Sequence, residues 1–300
     1  MRLHRTALAF ALLVSLAAGC GVAPPSSAPP DAPGAGSDGF QTLISTPWSL
    51  AANAEQYYCL RVTLTQDVWI KSIKPLSPVG THHSVLMLAA APTEPDGLTE
   101  CSSLLTDPAI YASGVGTTEL DFPDGIGLHV MAGQQLFLNL HLFNTSDSAL
   151  TGTSGIEYLP ADPTTIVHEA GSVLAGQATG ATVPVGTDVS LVFHCTTPAD
   201  VVMFAVAPHM HLYGTHLNAI YTATTGAAPT TVLDTDYEFD NQQFGLIPPI
   251  ATVAGGQYQV TCTYTNESGS PVPFGESTTD EMCFAMTYVY PPQAKATCSN

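Results

Sequence analysis

The chain is poor in cations and in charge altogether. Of its 300 residues only six are lysine or arginine, against 25 aspartates and glutamates, and charged side chains make up 10% of the sequence. A formal charge of −19 at pH 7 repels phosphate backbones and anionic lipid surfaces, which excludes nucleic-acid binding. No long stretch holds a 3.6-residue apolar period, so the body is not expected to be helical. A Gly-rich phosphate loop, a nucleophile elbow and a paired-carboxylate motif are all missing, which removes the commonest routes to phosphoryl and acyl transfer. Beyond the first twenty residues, no segment is long and apolar enough to cross a bilayer as a helix.

The N-terminus carries a shorter apolar run, too short to be a spanning helix. Arg2 and Arg5 precede "ALAFALLVSLAA", the pattern of a secretory signal over residues 1–20. "AAGC" then sets Cys20 behind small residues, as in a bacterial lipobox, although Ala17 stands where leucine is most usual. Lipidation of Cys20 is the expectation, with an ordinary signal peptide as the alternative. Residues 21–39 are rich in Pro, Ala, Ser and Gly and read as an extended tether. The expected location is the cell envelope, at the outer membrane or cell surface, with membrane contact through the lipid alone. Removal of the two leader arginines leaves four cations against 25 acids, a balance of −21.

Apart from Cys20, the cysteines are Cys59, Cys101, Cys195, Cys262, Cys283 and Cys298. An even number in an exported chain favours three disulfides, but six cysteines allow fifteen pairings and spacing alone does not choose. Few or no thiolates then remain for metal binding or nucleophilic attack.

The body is rich in β-branched and aromatic runs cut by Pro, Gly, Asp and Ser. "CLRVTLTQDVWIKSI", "HHSVLMLAA", "GQQLFLNLHLFN", "TDVSLVFHC", "DVVMFAVAPHMHLYG", "GQYQVTCTYTN" and "MCFAMTYVYP" read as strands. Many short strands with turn chemistry between them imply an all-β protein of sandwich type. The stretch "EYLPADPTTIVHEAG" is the best boundary, giving domains over residues 40–163 and 164–300.

Several histidines stand out. In "VVMFAVAPHMHLYG", read as a strand, His209 and His211 share a face, the geometry in which two ring nitrogens can chelate one ion. An isolated pair of this kind is more simply a hydrogen-bonded surface pair. In "QQLFLNLHLFN" the alternate leucines line one face, so His141 points the other way with Phe137, Asn139 and Phe143. His82 and His83 are adjacent at a strand start, and they could serve one ion only at a bend or bulge, which Gly80 permits. Met282 beside Cys283 is by itself ordinary core filling. His129, His168, His194 and His216 are read as structural. The alternation Asp234, Asp236, Glu238, Asp240 lacks the spacing of a calcium loop and reads as a solvated face.

In their joint order, "HHSVLML", "LNLHLF", "HMHLYG", "YEFDNQQF" and "TTDEMCFAMTYVYP" resemble the copper type II, ascorbate-dependent monooxygenases. The resemblance covers roughly residues 40–300. It implies two antiparallel jelly-roll-like β-sandwich domains in tandem, each contributing one copper site, facing across a wet cleft. It implies an electron-transfer copper on His82, His83 and His141, and an oxygen-activating, catalytic copper on His209, His211 and Met282. It also implies the disulfides Cys59–Cys101, Cys195–Cys298 and Cys262–Cys283. The ligand types agree with copper independently, since imidazole suits it and a thioether favours Cu(I).

The expected activity is hydroxylation of a C–H bond of a small organic substrate by a monomer, using O2 and a reductant such as ascorbate. A non-catalytic copper-binding or storage lipoprotein is the alternative, and an adhesive or glycan-binding sandwich is a third reading. Peptide-amidating members place an arginine where this chain has Ala207 and a tyrosine where it has Met286. Both anchor a carboxylate, so a C-terminal carboxylate substrate is not expected.

Overall fold

The computed structural model describes residues 38–101, 108–176, 180–275, 277, 279–293 and the backbone of 297–299. Among them there is no α-helix; the single helical turn is a 3-10 turn at Pro163–Thr165, capped by the Asp162 side chain. The fold is all-β, as its composition requires.

One large sheet runs through both halves of the described chain. Its order is Gln41–Leu50, Leu150–Pro160, Val68–Leu76, Ile126–Val130, His168–Gly176, Cys283–Tyr290, Val202–Met210, Gly245–Ala251. The halves meet at a parallel pair, where His168 and Ala170 register with Ile126 and Leu128. A five-stranded sheet, ordered Gly97–Glu100, Ala54–Thr63, Gln135–Asn144, Thr81–Ala89, Ala109–Ser113, accompanies the first half. A four-stranded sheet, ordered Gly186–Thr196, Gln257–Asn266, Gly214–Thr222, Thr230–Asp236, accompanies the second.

Alternation explains how one strand serves two layers. In Cys283–Tyr290, the side chains of Cys283, Ala285 and Val289 pack with Tyr258, Val260 and Cys262 of the four-stranded sheet. The intervening Tyr288 joins Phe122, Phe204 and Tyr111 in the core of the first half, and its hydroxyl donates to the Ile110 carbonyl at 2.7 Å. Successive side chains of a strand point to opposite faces, so a strand with both faces covered reads as continuously apolar. The two cores are thereby tied through shared aromatic side chains.

Two sequence-based strands are corrected. "CLRVTLTQDVWIKSI" is two strands, Ala54–Thr63 and Val68–Leu76, because the chain turns at residues 65–67. There Asp67 accepts the Ala132 amide at 2.8 Å. "VVMFAVAPHMHLYG" stops at Met210; residues 212–213 turn and Gly214 opens the next strand. His211 is therefore off the strand, and His216 lies on the next strand, in the four-stranded sheet.

The structure pairs Cys59 with Cys101 and Cys262 with Cys283. Cys195 is disulfide-bonded as well. The side chain of Cys298, and with it the Cys195–Cys298 pairing, lies outside the described residues, as do Cys20, the leader and the tether up to residue 37.

Candidate metal centre

The first cluster is built by a bulge. Thr81–Ala89 pairs with Gln135–Asn144, and the register passes from Thr81↔Leu142 directly to His83↔His141, leaving His82 as the extra residue. A bulge lets two adjacent side chains share a side. Gly80 just before it has φ +101°, and a Cβ there would stand 2.7 Å from the Trp48 ring. Only glycine meets both demands.

The three rings converge. His82 Nδ1 lies 3.1 Å from His83 Nδ1, and His141 Nδ1 lies 3.4 Å from His83 Nδ1. One ligand atom from each falls within 4.8 Å of the others. His141 is wholly buried, its ring stacked on Tyr57 at 4.1 Å, and its Nε2 is 2.6 Å from Glu55 Oε1. A carboxylate at Nε2 draws the proton there and leaves the lone pair on Nδ1, aimed at the other two rings. Burial, and then the neighbouring rings, pull His83 well below the ordinary histidine range and His141 down to about 3. Burial lowers His82 too, against the pull of Asp240. All three are therefore neutral near pH 7, the form that binds metal. Nitrogen lone pairs at these distances repel one another unless a cation or a shared proton lies among them.

The second cluster is held at a turn. His209 stands one residue before the strand's end at Met210 and His211 directly after it, their ring centroids 5.3 Å apart and their planes at 88°. His209 Nδ1 lies 2.9 Å from Gln242 Oε1, and His211 Nδ1 lies 3.1 Å from the Asp280 carbonyl oxygen. Both acceptors require a proton on Nδ1, which leaves the lone pair of each ring on Nε2. Burial lowers both rings, His211 to about 3.

Met282 is set by three restraints. Tyr264 donates to its carbonyl at 3.0 Å, the Cys262–Cys283 disulfide follows it, and its amide donates to Glu281 at 3.2 Å. Glu281 is fully buried and also accepts the amides of His211 at 3.0 Å and Tyr213 at 2.6 Å. Burial pushes its carboxyl up to about 7, while these backbone donors hold it down. One carboxylate thus joins the turn bearing His211 to the segment bearing Met282.

Both clusters open on one cavity of about 1040 Å³, part of it open to solvent. His82, His83, His209, His211 and Met282 all line it, with His141 behind His83. The segment 237–244 links the clusters, since Phe239 meets the His82 ring at 5.3 Å and Gln242 holds His209. A loop of the first half grips that segment: Thr117 donates to the Gln242 carbonyl at 2.7 Å, and the Thr118 amide donates to Gln243 at 2.9 Å. Gly116 is required there, because a Cβ would come within 2.5 Å of the Asp240 carbonyl.

The residues singled out in the sequence are thus brought together, apart from four histidines that lie elsewhere. His129 stacks on Trp69, His168 on Tyr290, and His216 pairs with Asp236 and Asp234. His194 sits opposite Gln259 in the four-stranded sheet. Sequence reasoning missed Glu55, Tyr57, Gln242 and Glu281. Glu281 and Gln242 stand inside quoted segments, "TTDEMC" and "YEFDNQQF", whereas nothing in the sequence marks Glu55, which reaches His141 only through strand pairing.

The donor set of three imidazoles in one group, and two imidazoles with a thioether nearby, suits a soft redox metal. Residues 168–300 match the family model described as copper type II ascorbate-dependent monooxygenase, C-terminal domain. Residues 168–300 thus carry the C-terminal domain of the copper type II ascorbate-dependent monooxygenase family. Among solved structures, the chain is similar to the VP2 subviral particle of infectious bursal disease virus at 9% identity and TM-score 0.22, over 86% of this chain and 74% of that one. It is similar to the Gt strain of that virus at 11% identity and TM-score 0.20, over 89% and 74%. Likeness at that level carries no argument about fold or function.

Proposed function

We propose that the protein is a copper-dependent monooxygenase that hydroxylates a C–H bond of a small organic substrate. One oxygen atom of O2 enters the C–H bond and the other leaves as water. Two electrons come from an external one-electron reductant such as ascorbate, and two protons come from solvent. The observation that carries this reading is the opening of two chemically different donor groups on a single cavity. Copper held by these groups would supply the one-electron redox chemistry that dioxygen activation needs.

In this reading His209, His211 and Met282 hold the oxygen-activating copper, and His82, His83 and His141 hold the electron-transfer copper. Zinc rarely takes methionine and calcium takes oxygens, so the donor types favour copper. Glu55, Gln242 and the Asp280 carbonyl fix which nitrogen each ring presents.

The same proposal includes two jelly-roll-like sandwiches over residues 40–163 and 164–300, export, lipid attachment at Cys20 and action as a monomer. The N-terminal sequence pattern supports export and lipid attachment, and the two cores support the two sandwiches. The test is metal content with turnover. Reconstituted protein should hold about two coppers per chain, falling to about one in His141→Ala or Met282→Ala. Oxygen uptake should be coupled to a hydroxylated product. A protein that takes up no copper would end the proposal, and copper binding without coupled oxygen uptake would favour a storage role.

A further inference from the structure

The cavity carries information about its ligand that the metal donors do not. Among the described residues, no aspartate, glutamate, lysine or arginine lines it. The described chain has three cationic side chains in all, and each is occupied or remote. Arg61 lies over the Phe137 ring at 4.2 Å, Lys74 pairs with Asp38 at 2.6 Å, and Lys71 is exposed beside a separate surface depression. An anion entering the cavity would find no counter-ion from a side chain, and an ammonium would find no carboxylate. Burying either without a partner is strongly unfavourable.

The polar groups on the walls are already engaged. Gln242 accepts from His209 and donates to the Phe239 carbonyl at 3.1 Å. Thr117 accepts the Gly114 amide at 3.0 Å and donates to the Gln242 carbonyl. Ser113 pairs with Ser84 at 3.0 Å, and the Asn139 amide group turns to the Cys59–Cys101 sulfurs at 3.8 and 3.9 Å. What remains is apolar: Leu174, Phe244, Phe284 and Met286 among others. Ala207 and Met286 face one another in register across adjacent strands, and both line the cavity, so they form one continuous apolar patch beside His209.

We propose that this cavity selects an uncharged molecule, apolar over most of its surface, which it recognises by shape and not by ion pairing, with the Ala207–Met286 pair as a selectivity-determining wall. This rests on the monooxygenase reading for its chemistry, but the selectivity is a property of the walls alone.

The test uses two samples of methyl-13C-methionine protein, one metal-free and one anaerobically loaded with Cu(I), each titrated with matched alcohol, carboxylate and amine derivatives of benzene, cyclohexane and indane. The first triplet is 2-phenylethanol, phenylacetate and 2-phenylethylamine. Alcohols should shift the Met282 and Met286 methyl signals while those of Met87 and Met203, packed in the cores, stay still. Carboxylates and amines should bind at least roughly tenfold more weakly. Ala207→Arg should raise carboxylate affinity about tenfold and weaken the alcohol.

Charged members within about threefold of the alcohols, or no alcohol that moves Met282 or Met286 at millimolar concentration, would overturn the proposal. A folded Ala207→Arg protein that keeps the alcohol preference would overturn the role of Ala207. If that variant does not fold, the wild-type comparison still decides. Absence of copper uptake with alcohol selectivity intact would instead count against the monooxygenase reading alone.

Discussion

The two histidine clusters use the same side chain and present different atoms of it. In the His82/His83/His141 cluster the rings converge through Nδ1, because Glu55 accepts a hydrogen bond from the Nε2–H of His141 and a bulge turns His82 and His83 to one side. In the His209/His211 cluster the Nδ1 atoms are tied to an amide and a backbone carbonyl, so Nε2 is the presenting atom. The first cluster is held by two central strands of one sheet and a stacked Tyr57. The second is held by a turn, a buried carboxylate and a disulfide. A histidine's neighbours decide which nitrogen binds, and the rigidity of its element decides how tightly the geometry is fixed.

The second cluster is most vulnerable at Glu281. Glu281→Leu leaves the amides of His211, Tyr213 and Met282 without their acceptor inside the protein, at a cost of about 4 kcal/mol. Calorimetry should show a lower unfolding temperature, and copper analysis should show loss from the second cluster with the first retained. Equal loss from both would mean that the clusters are not independently held.

A smaller effect is expected at Glu55. Glu55→Gln weakens control of the His141 tautomer and should lower Cu(I) affinity of the first cluster by roughly 10–100-fold. Competition with a Cu(I) chelator reads this directly, and the second cluster should be unchanged. If affinity is unaltered, the bulge alone suffices to direct the rings.

The smallest effect sharpens the contrast with a histidine outside both clusters. Hydrogen bonds donated by the His216 ring to Asp236, and then to Asp234, raise His216 above its ordinary value, whereas burial lowers the cluster histidines. A raised folded value means that the pairing stabilises the protein below pH ~6.5, and the gain is lost as pH rises through the folded value. His216→Gln should therefore lower the unfolding temperature at acid pH and leave it unchanged at about pH 9. Both partners are exposed, so the gain stays below about 1 kcal/mol. A difference that persists at high pH would assign His216 a packing role.

The sequence by itself determined the all-β character, since β-branched and aromatic runs without a helical period admit little else. It also singled out the six side chains of the two clusters, through the order of motifs that resembles the copper type II monooxygenases. It did not determine where strands stop. The break after Met210 depends on Glu281 capturing the amides of His211 and Tyr213, a contact spanning about seventy residues.

Nor could the sequence say which nitrogen each ring offers. Glu55 meets His141 through strand pairing, and Gln242 meets His209 through a segment gripped by the Gly114–Thr118 loop. Tertiary structure alone placed both clusters on one uncharged cavity, because a surface assembled from distant strands has no signature in any local stretch of chain.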